Sequence, residues 1–90
     1  MKEEFYKNLK IKLEEQFDWP QPYLFKFIIP SNNEKLALAQ ALFEEDAQIT
    51  TRQSKSNKFT SISAKVVMIS PDEVIAIYKK AESIEGIISL

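Results

Sequence analysis

Phe59 to Ile69 reads FTSISAKVVMI, and this stretch decides the fold. Successive residues of a strand point to opposite faces. Ile62, Ala64, Val66 and Met68 therefore share one side, and Phe59, Ser61, Ser63, Lys65 and Val67 the other. The first set is wholly apolar and the second mixed, which predicts one buried face and one that is only partly covered.

The segments on either side pair with this strand or pack on it. Upstream, residues 47–54 (AQITTRQS) form a more polar strand, joined to the long one by the turn Lys55-Ser56-Asn57-Lys58. Downstream, Ser70-Pro71-Asp72-Glu73 is a capping box with proline at the first helical position and acids in the first turn. Val74, Ile77, Tyr78 and Ala81 follow at i, i+3, i+4, i+7, the stripe of an amphipathic helix. Gly86, the one glycine of the chain, sits where a helix-to-strand connection needs conformational freedom, before a short last strand over residues 87–90.

The first half repeats the pattern. Residues 23–29 alternate as a strand, with Tyr23, Phe25, Phe27 and Ile29 on one face and Leu24, Lys26 and Ile28 on the other. Pro30 stops it. Ser31-Asn32-Asn33-Glu34 then reads as a second capping box, with Ser31 as the cap, opening a helix to about Glu45 with Leu36, Ala39, Leu42 and Phe43 at core spacing. A strand–helix–strand unit repeated and joined by a hairpin is βαββαβ, the ferredoxin-like plait of the α+β class. Right-handed crossovers put the two most apolar strands in the centre of a four-stranded antiparallel sheet and both helices on one face. The polar and the short strands take the edges, which limits stray pairing.

Ahead of this unit, Phe5, Leu9, Leu13 and Phe17 mark an amphipathic helix over residues 2–17. Asp18-Trp19-Pro20-Gln21-Pro22 ends it, as a structural bracket rather than a proline-rich recognition motif, since the spacing is P-x-P. The chain thus divides into a helix over residues 1–18 and one domain over residues 19–90. The sheet face away from the two plait helices carries Leu24, Lys26, Ile28, Thr50, Arg52, Ser61, Ser63, Lys65 and Val67, of which Leu24, Ile28 and Val67 are apolar. Such a face needs cover, and the N-terminal helix, at the sheet's edge or on this open face, or a second subunit is expected to supply it.

Composition narrows the chemistry. Ninety residues suffice for one small core without staples. With no cysteine and no histidine, thiol chemistry, zinc-finger and iron–sulfur sites, disulfides and histidine bases are excluded. Twelve basic against thirteen acidic residues exert no bulk pull on a phosphate backbone. No apolar run is long enough to span a membrane, and the start MKEEFYKN lacks the apolar core of a secretory signal. The expected setting is cytoplasmic, with no cofactor, no metal and no membrane.

Trp19-Pro20-x-Pro22-Tyr23-x-Phe25-Lys26 resembles the aromatic-Pro-x-Pro-aromatic-x-aromatic-Lys opening of the YbeD-like proteins, small domains of unknown function. Ser54 followed by Phe59-x-Ser61-Ile62-Ser63 is similar to a second stretch of that family, and Tyr78 and the aliphatic last strand also match. The resemblance covers residues 19–90. A hairpin glycine usual in the family is replaced here by Ser56 and Asn57. The resemblance implies a fold like the regulatory ACT domain, which binds small effectors at dimer interfaces, and implies no activity.

Candidate functional residues lie on or beside the open face. Lys26 would hold an anion beside Ser61 and Ser63, the more so if Arg52 or Lys65 lies in reach, or would lie over apolar neighbours. Ser54, Ser61 and Ser63 would offer hydroxyls to a ligand or form a cross-strand ladder. No histidine activates a serine, so nucleophilic catalysis would fall to a lysine base, and an acylphosphatase-like site lacks its arginine and glycine-rich loop after the first strand. The carboxylates Glu44, Glu45 and Asp46 lack a metal-binding pattern. For nucleic acid, only Phe59 and Trp19 are placed to stack. The resulting expectation is a non-enzymatic regulatory or adaptor module that binds an unidentified protein through its open face and N-terminal helix. The alternative is a sensor of an amino acid or anion at a homodimer interface, with nucleic-acid binding third.

Overall fold

The computed structural model describes residues 2–90. Its elements are α1 (Lys2–Gln16), β1 (Gln21–Pro30), α2 (Asn33–Gln40), β2 (Gln48–Gln53), β3 (Phe59–Met68), α3 (Pro71–Ala81) and β4 (Ile88–Ser89). The strands form one antiparallel sheet in the order β2-β3-β1-β4. This is the ferredoxin-like plait with an added N-terminal helix, and the two apolar strands are central as the sequence predicts.

The alternation in β1 and β3 is realised residue by residue. Their register runs unbroken from Gln21 opposite Met68 to Pro30 opposite Phe59, and it sets Phe25 against Ala64 and Phe27 against Ile62. Phe25, Phe27, Ile29, Ile62 and Val74 are completely buried, and each such side chain contributes about 1.5–3 kcal/mol through burial. The small Ala64 leaves room for the Phe25 ring. That ring meets Tyr78 of α3 at 5.3 Å between centroids and Phe43 beyond α2 at 5.3 Å. Aromatic contacts thus join α3 and the turn after α2 to the inner face of the sheet.

Three local features depart from the expectation, each for a physical reason. The cap of α2 is Asn32, not Ser31: Asn32 Oδ1 accepts from the Lys35 N–H at 2.9 Å. Ser31 is still held in the ladder, donating its N–H to the Lys58 carbonyl at 2.9 Å, and its hydroxyl pairs with that of the buried Thr60 at 2.9 Å. The helix therefore starts one residue later, on another good capping residue. At its far end α2 stops at Gln40 rather than about Glu45. Continuation would stack Glu44, Glu45 and Asp46 on the negative end of the helix. The chain instead tightens, with Leu42 and Phe43 donating to the carbonyls of Ala39 and Gln40, and both side chains turn toward the core.

The hairpin forms at the expected turn, residues 55–58. Asn57 takes φ +60°, the left-handed conformation that asparagine tolerates better than most residues. It does the work of the family's missing glycine. Gly86, at φ +82°, is required twice over, because a Cβ there would stand 2.9 Å from Pro30 Cγ. At α3 Ser70 caps as read, its Oγ accepting from the Glu73 N–H at 3.3 Å, while the Glu73 carboxylate reaches one residue past the cap and accepts from the Ile69 N–H.

The third departure concerns α1, which lies neither on the open face nor along the sheet's edge. It packs on α3, in the helical layer: Tyr6 donates to Glu82 at 2.9 Å, Lys10 pairs with Asp72 at 3.0 Å, Lys2 with Glu82 at 3.2 Å, and Lys79 sits over the Tyr6 ring. Tyr6 and the lysines of α1 meet the charged residues Asp72 and Glu82, while Leu13 of the apolar stripe enters the core cluster and Leu9 packs against it. Of that stripe Leu13 is buried and Leu9 half-buried, whereas Phe5 and Phe17 stay exposed. Among the described residues, no helix is long and apolar enough to cross a membrane.

Candidate functional site

With α1 on the helical side, the opposite face of the sheet has no layer over it. Leu24, Phe59, Val67 and Ile88 are exposed by 50, 47, 55 and 51%. The ladder fixes how these residues stand to one another. One row across the face is Gln48–Lys65–Leu24, the next Thr50–Ser63–Lys26, the third Arg52–Ser61–Ile28–Ile88. Lys65 and Lys26 are diagonal neighbours on adjacent strands, so their Cβ atoms lie roughly 7–8 Å apart. Arg52 stands two strands from Lys26 and one row on.

The seven residues singled out in the sequence separate into two groups. Arg52, Ser54, Phe59 and Ser61 line one shallow hollow at the hairpin end of the face, together with Ile28 and Lys55. Lys26, Ser63 and Lys65 lie outside it, further along the sheet. Two of the three serines are occupied within the fold. Ser61 donates to the Arg52 carbonyl at 3.2 Å, a cross-strand bond, and Ser54 accepts from the Phe59 N–H at 3.2 Å, which closes the hairpin. Lys26 and Ser63 are cross-strand partners, but no hydrogen bond joins them among the described residues, and neither Lys26, Arg52 nor Lys65 forms an ion pair there.

Electrostatically the face has one sign. It carries Lys26, Arg52 and Lys65, and its strand positions hold no carboxylate; Asp46, just before β2, lines a depression with Lys65 without pairing with it among the described residues. With three of the twelve basic residues placed here, nine remain against thirteen acidic ones over the rest of the chain. An almost neutral protein is therefore polarised, with one apolar and cationic sheet face and a net acidic remainder. Reading charge sign along the period-two faces would have found this in the sequence.

Other polar contacts have no counterpart in the sequence reading. Tyr23 and Tyr78 join hydroxyls at 3.0 Å where β1 meets α3. Burial first, and then the bond to Tyr23, push the Tyr78 phenol well above its ordinary range. Burial against α3 and the bond to Glu82 raise the Tyr6 phenol to about 12. The same bond, with Lys2, holds the Glu82 carboxyl below its usual value. Local sequence carries no signal for such pairs, whose members lie far apart in the chain. Among the described residues, no group of histidine, cysteine or acidic side chains could hold a metal ion.

No curated protein and no solved structure matches the chain. One family model does, described as Protein of unknown function (DUF493), over residues 14–90. The match takes in every strand, α2, α3 and only the last residues of α1. Together with the motifs around Trp19 and Phe59 and the plait itself, it establishes that the chain belongs to this family, the YbeD-like proteins.

Proposed function

We propose that the protein acts by binding another protein through the open face of its sheet, as a non-enzymatic regulatory or adaptor module. What supports this reading is the bare face itself, with four large apolar side chains half exposed and α1 packed elsewhere. A sheet normally buries both faces or keeps one polar, and an apolar area left on a small domain marks an interaction surface. The occupied hydroxyls of Ser54 and Ser61 favour a contact surface over a serine-based reaction centre.

The test is capture from a lysate with matched baits. The wild-type chain and Lys7→Glu, altered on α1, should retain a common protein that Leu24→Glu/Val67→Glu loses while keeping its melting temperature. Retention by all three baits would overturn the reading.

The hollow of Arg52, Ser54, Phe59 and Ser61 supports a second reading, a sensor of a small anion bearing an apolar group. A ligand at a hundred times its dissociation constant stabilises a protein by about 2.7 kcal/mol, roughly ten degrees or more in a domain of this size. A screen of amino acids and organic anions with a hit of that order, lost in Arg52→Ala, would select the sensor.

A further inference from the structure

Resting on the partner-binding reading, we propose what kind of partner the open face takes: an acidic amphipathic helix. Its apolar side chains would seat on Leu24, Ile28 and Val67, and its carboxylates would meet Lys26, Arg52 and Lys65. Charge complementarity is the argument. The three cations stand on a face without a carboxylate, and none is used in an ion pair among the described residues. Unpaired cations interleaved with exposed aliphatic groups ask for a ligand that alternates carboxylates with apolar side chains.

Geometry agrees with a helix. Strands are about 4.8 Å apart, so the three strands β2, β3 and β1 offer a face about 10 Å across between outer axes, close to the 10–12 Å diameter of a helix. Carboxylates at i and i+4 of a helix are about 6 Å apart. That spacing suits the diagonal pair Lys26 and Lys65, whose long side chains adjust to the difference. A helix here would complete a second helical layer opposite α1, α2 and α3.

Two rival occupants fit less well. A second copy docked face to face would set three cations against three with no carboxylate on either side, a repulsive contact. Nucleic acid would find the cations but not a stacking platform, because Phe25 and Phe27 are buried and Phe59 alone is exposed on the sheet. The acidic remainder of the surface would repel its phosphates.

The experiment uses the full chain as bait for a displayed library of random peptides of about 16 residues, long enough for about four helical turns. Enriched peptides are then measured by fluorescence anisotropy at low and raised salt. The expected winners are rich in Asp and Glu, with apolar residues at helical spacing. Their affinity should fall about tenfold or more for Lys26→Glu/Lys65→Glu, stay unchanged for Lys7→Glu/Lys12→Glu, which makes the same change in net charge on α1, and weaken with salt. Winners without an acidic excess, or affinity equally reduced by both charge reversals, would overturn the inference. If such neutral or basic winners were lost in Leu24→Glu/Val67→Glu, the partner-binding reading would stand and only the acidic helix would fall. No enriched peptide at all would overturn the inference, and with an organic-anion hit in the thermal screen it would take the partner-binding reading down as well. A dimer forming with concentration, or binding of a labelled oligonucleotide abolished by Lys26→Glu/Lys65→Glu, would assign the face to one of the rivals.

Discussion

Phe25 and Phe27 are sealed inside the protein, while Leu24 and Lys26, their neighbours on the same strand, face outward with nothing laid over them. The two sides of this sheet share a backbone, a register and a set of hydrogen bonds. They differ only in what the alternate side chains meet. On the inner side an aromatic cluster ties β1 to α3 and to the turn after α2. On the outer side apolar and cationic residues alternate without a partner. In β1 the odd positions Phe25, Phe27 and Ile29 build the core, and the outward even positions are those that the proposed function would use; substitution separates the two sets.

The largest effect should come from the inner side. Phe25→Ala or Phe27→Ala removes a fully buried ring from the centre of the cluster and should cost about 3–5 kcal/mol. In a small domain that is a large share of the total stability of about 5–15 kcal/mol, so urea denaturation should register a near-complete loss of folding margin. A loss under about 1 kcal/mol would mean that the inner face is not the core. Next in size is Gly86→Ala. The left-handed backbone costs an alanine about 1–2 kcal/mol, and the contact with Pro30 adds to it. A neutral result would show that the connection into β4 relaxes freely.

The helix starts allow a finer cut. Asn32→Ala should destabilise by about 1 kcal/mol as the loss of a cap. Ser31→Ala should instead be coupled to Thr60→Val, with a non-additivity of about 0.5–1 kcal/mol in a double-mutant cycle, because those two hydroxyls partner each other. Additivity between them, together with a silent Asn32→Ala, would return the cap to Ser31.

This cap illustrates what local sequence encodes and what it does not. The pattern S-N-N-E holds two good capping residues in a row, and propensity does not choose between them. The choice is made at the start of β3, where the carbonyl of Lys58, one residue before the strand, and the Thr60 hydroxyl hold Ser31 beside the sheet. Strand order, faces and the α3 box were legible because each follows from a period or a spacing within a few residues. The end of α2 and the seat of α1 were not, since they depend on charges brought together from distant parts of the chain. Leu9 and Leu13 make the apolar contact that the stripe Phe5, Leu9, Leu13 and Phe17 pointed to, while Tyr6 and Lys10 meet the charged residues Glu82 and Asp72. For the candidate site, the residue list followed from alternation, but its division into a hollow and a separate cationic pair required the register.

Alkaline pH probes the seam between β1 and α3. In the unfolded chain the tyrosines ionise near pH 10; in the native protein Tyr78, by burial and its bond to Tyr23, and Tyr6, at about 12, hold their protons longer. The native state then binds more protons than the unfolded one, so stability is intact below about pH 10 and falls as pH rises through the native values. Urea midpoints at about pH 9 and pH 11 should drop more for the wild type than for Tyr78→Phe, which has no proton to keep. Equal drops would mean that the Tyr78 hydroxyl is not confined in the native state.

The smallest expected effect is the most informative about function. Leu24→Ser and Val67→Thr replace exposed side chains on the open face and should shift stability by no more than about 0.5 kcal/mol. Both positions lie in strands, and Val67→Thr keeps a β-branched residue there, so little strand propensity is at stake. The identities of Leu24 and Val67 then find no explanation in folding. Their apolar character on a solvent-facing surface would be maintained by what the surface meets, and their silence in denaturation, set beside loss of a bound partner, would assign the outer positions of β1 and β3 to recognition. A cost near that of Phe25→Ala would break the comparison from the other side, because Leu24 would then be buried in the working protein even without a partner.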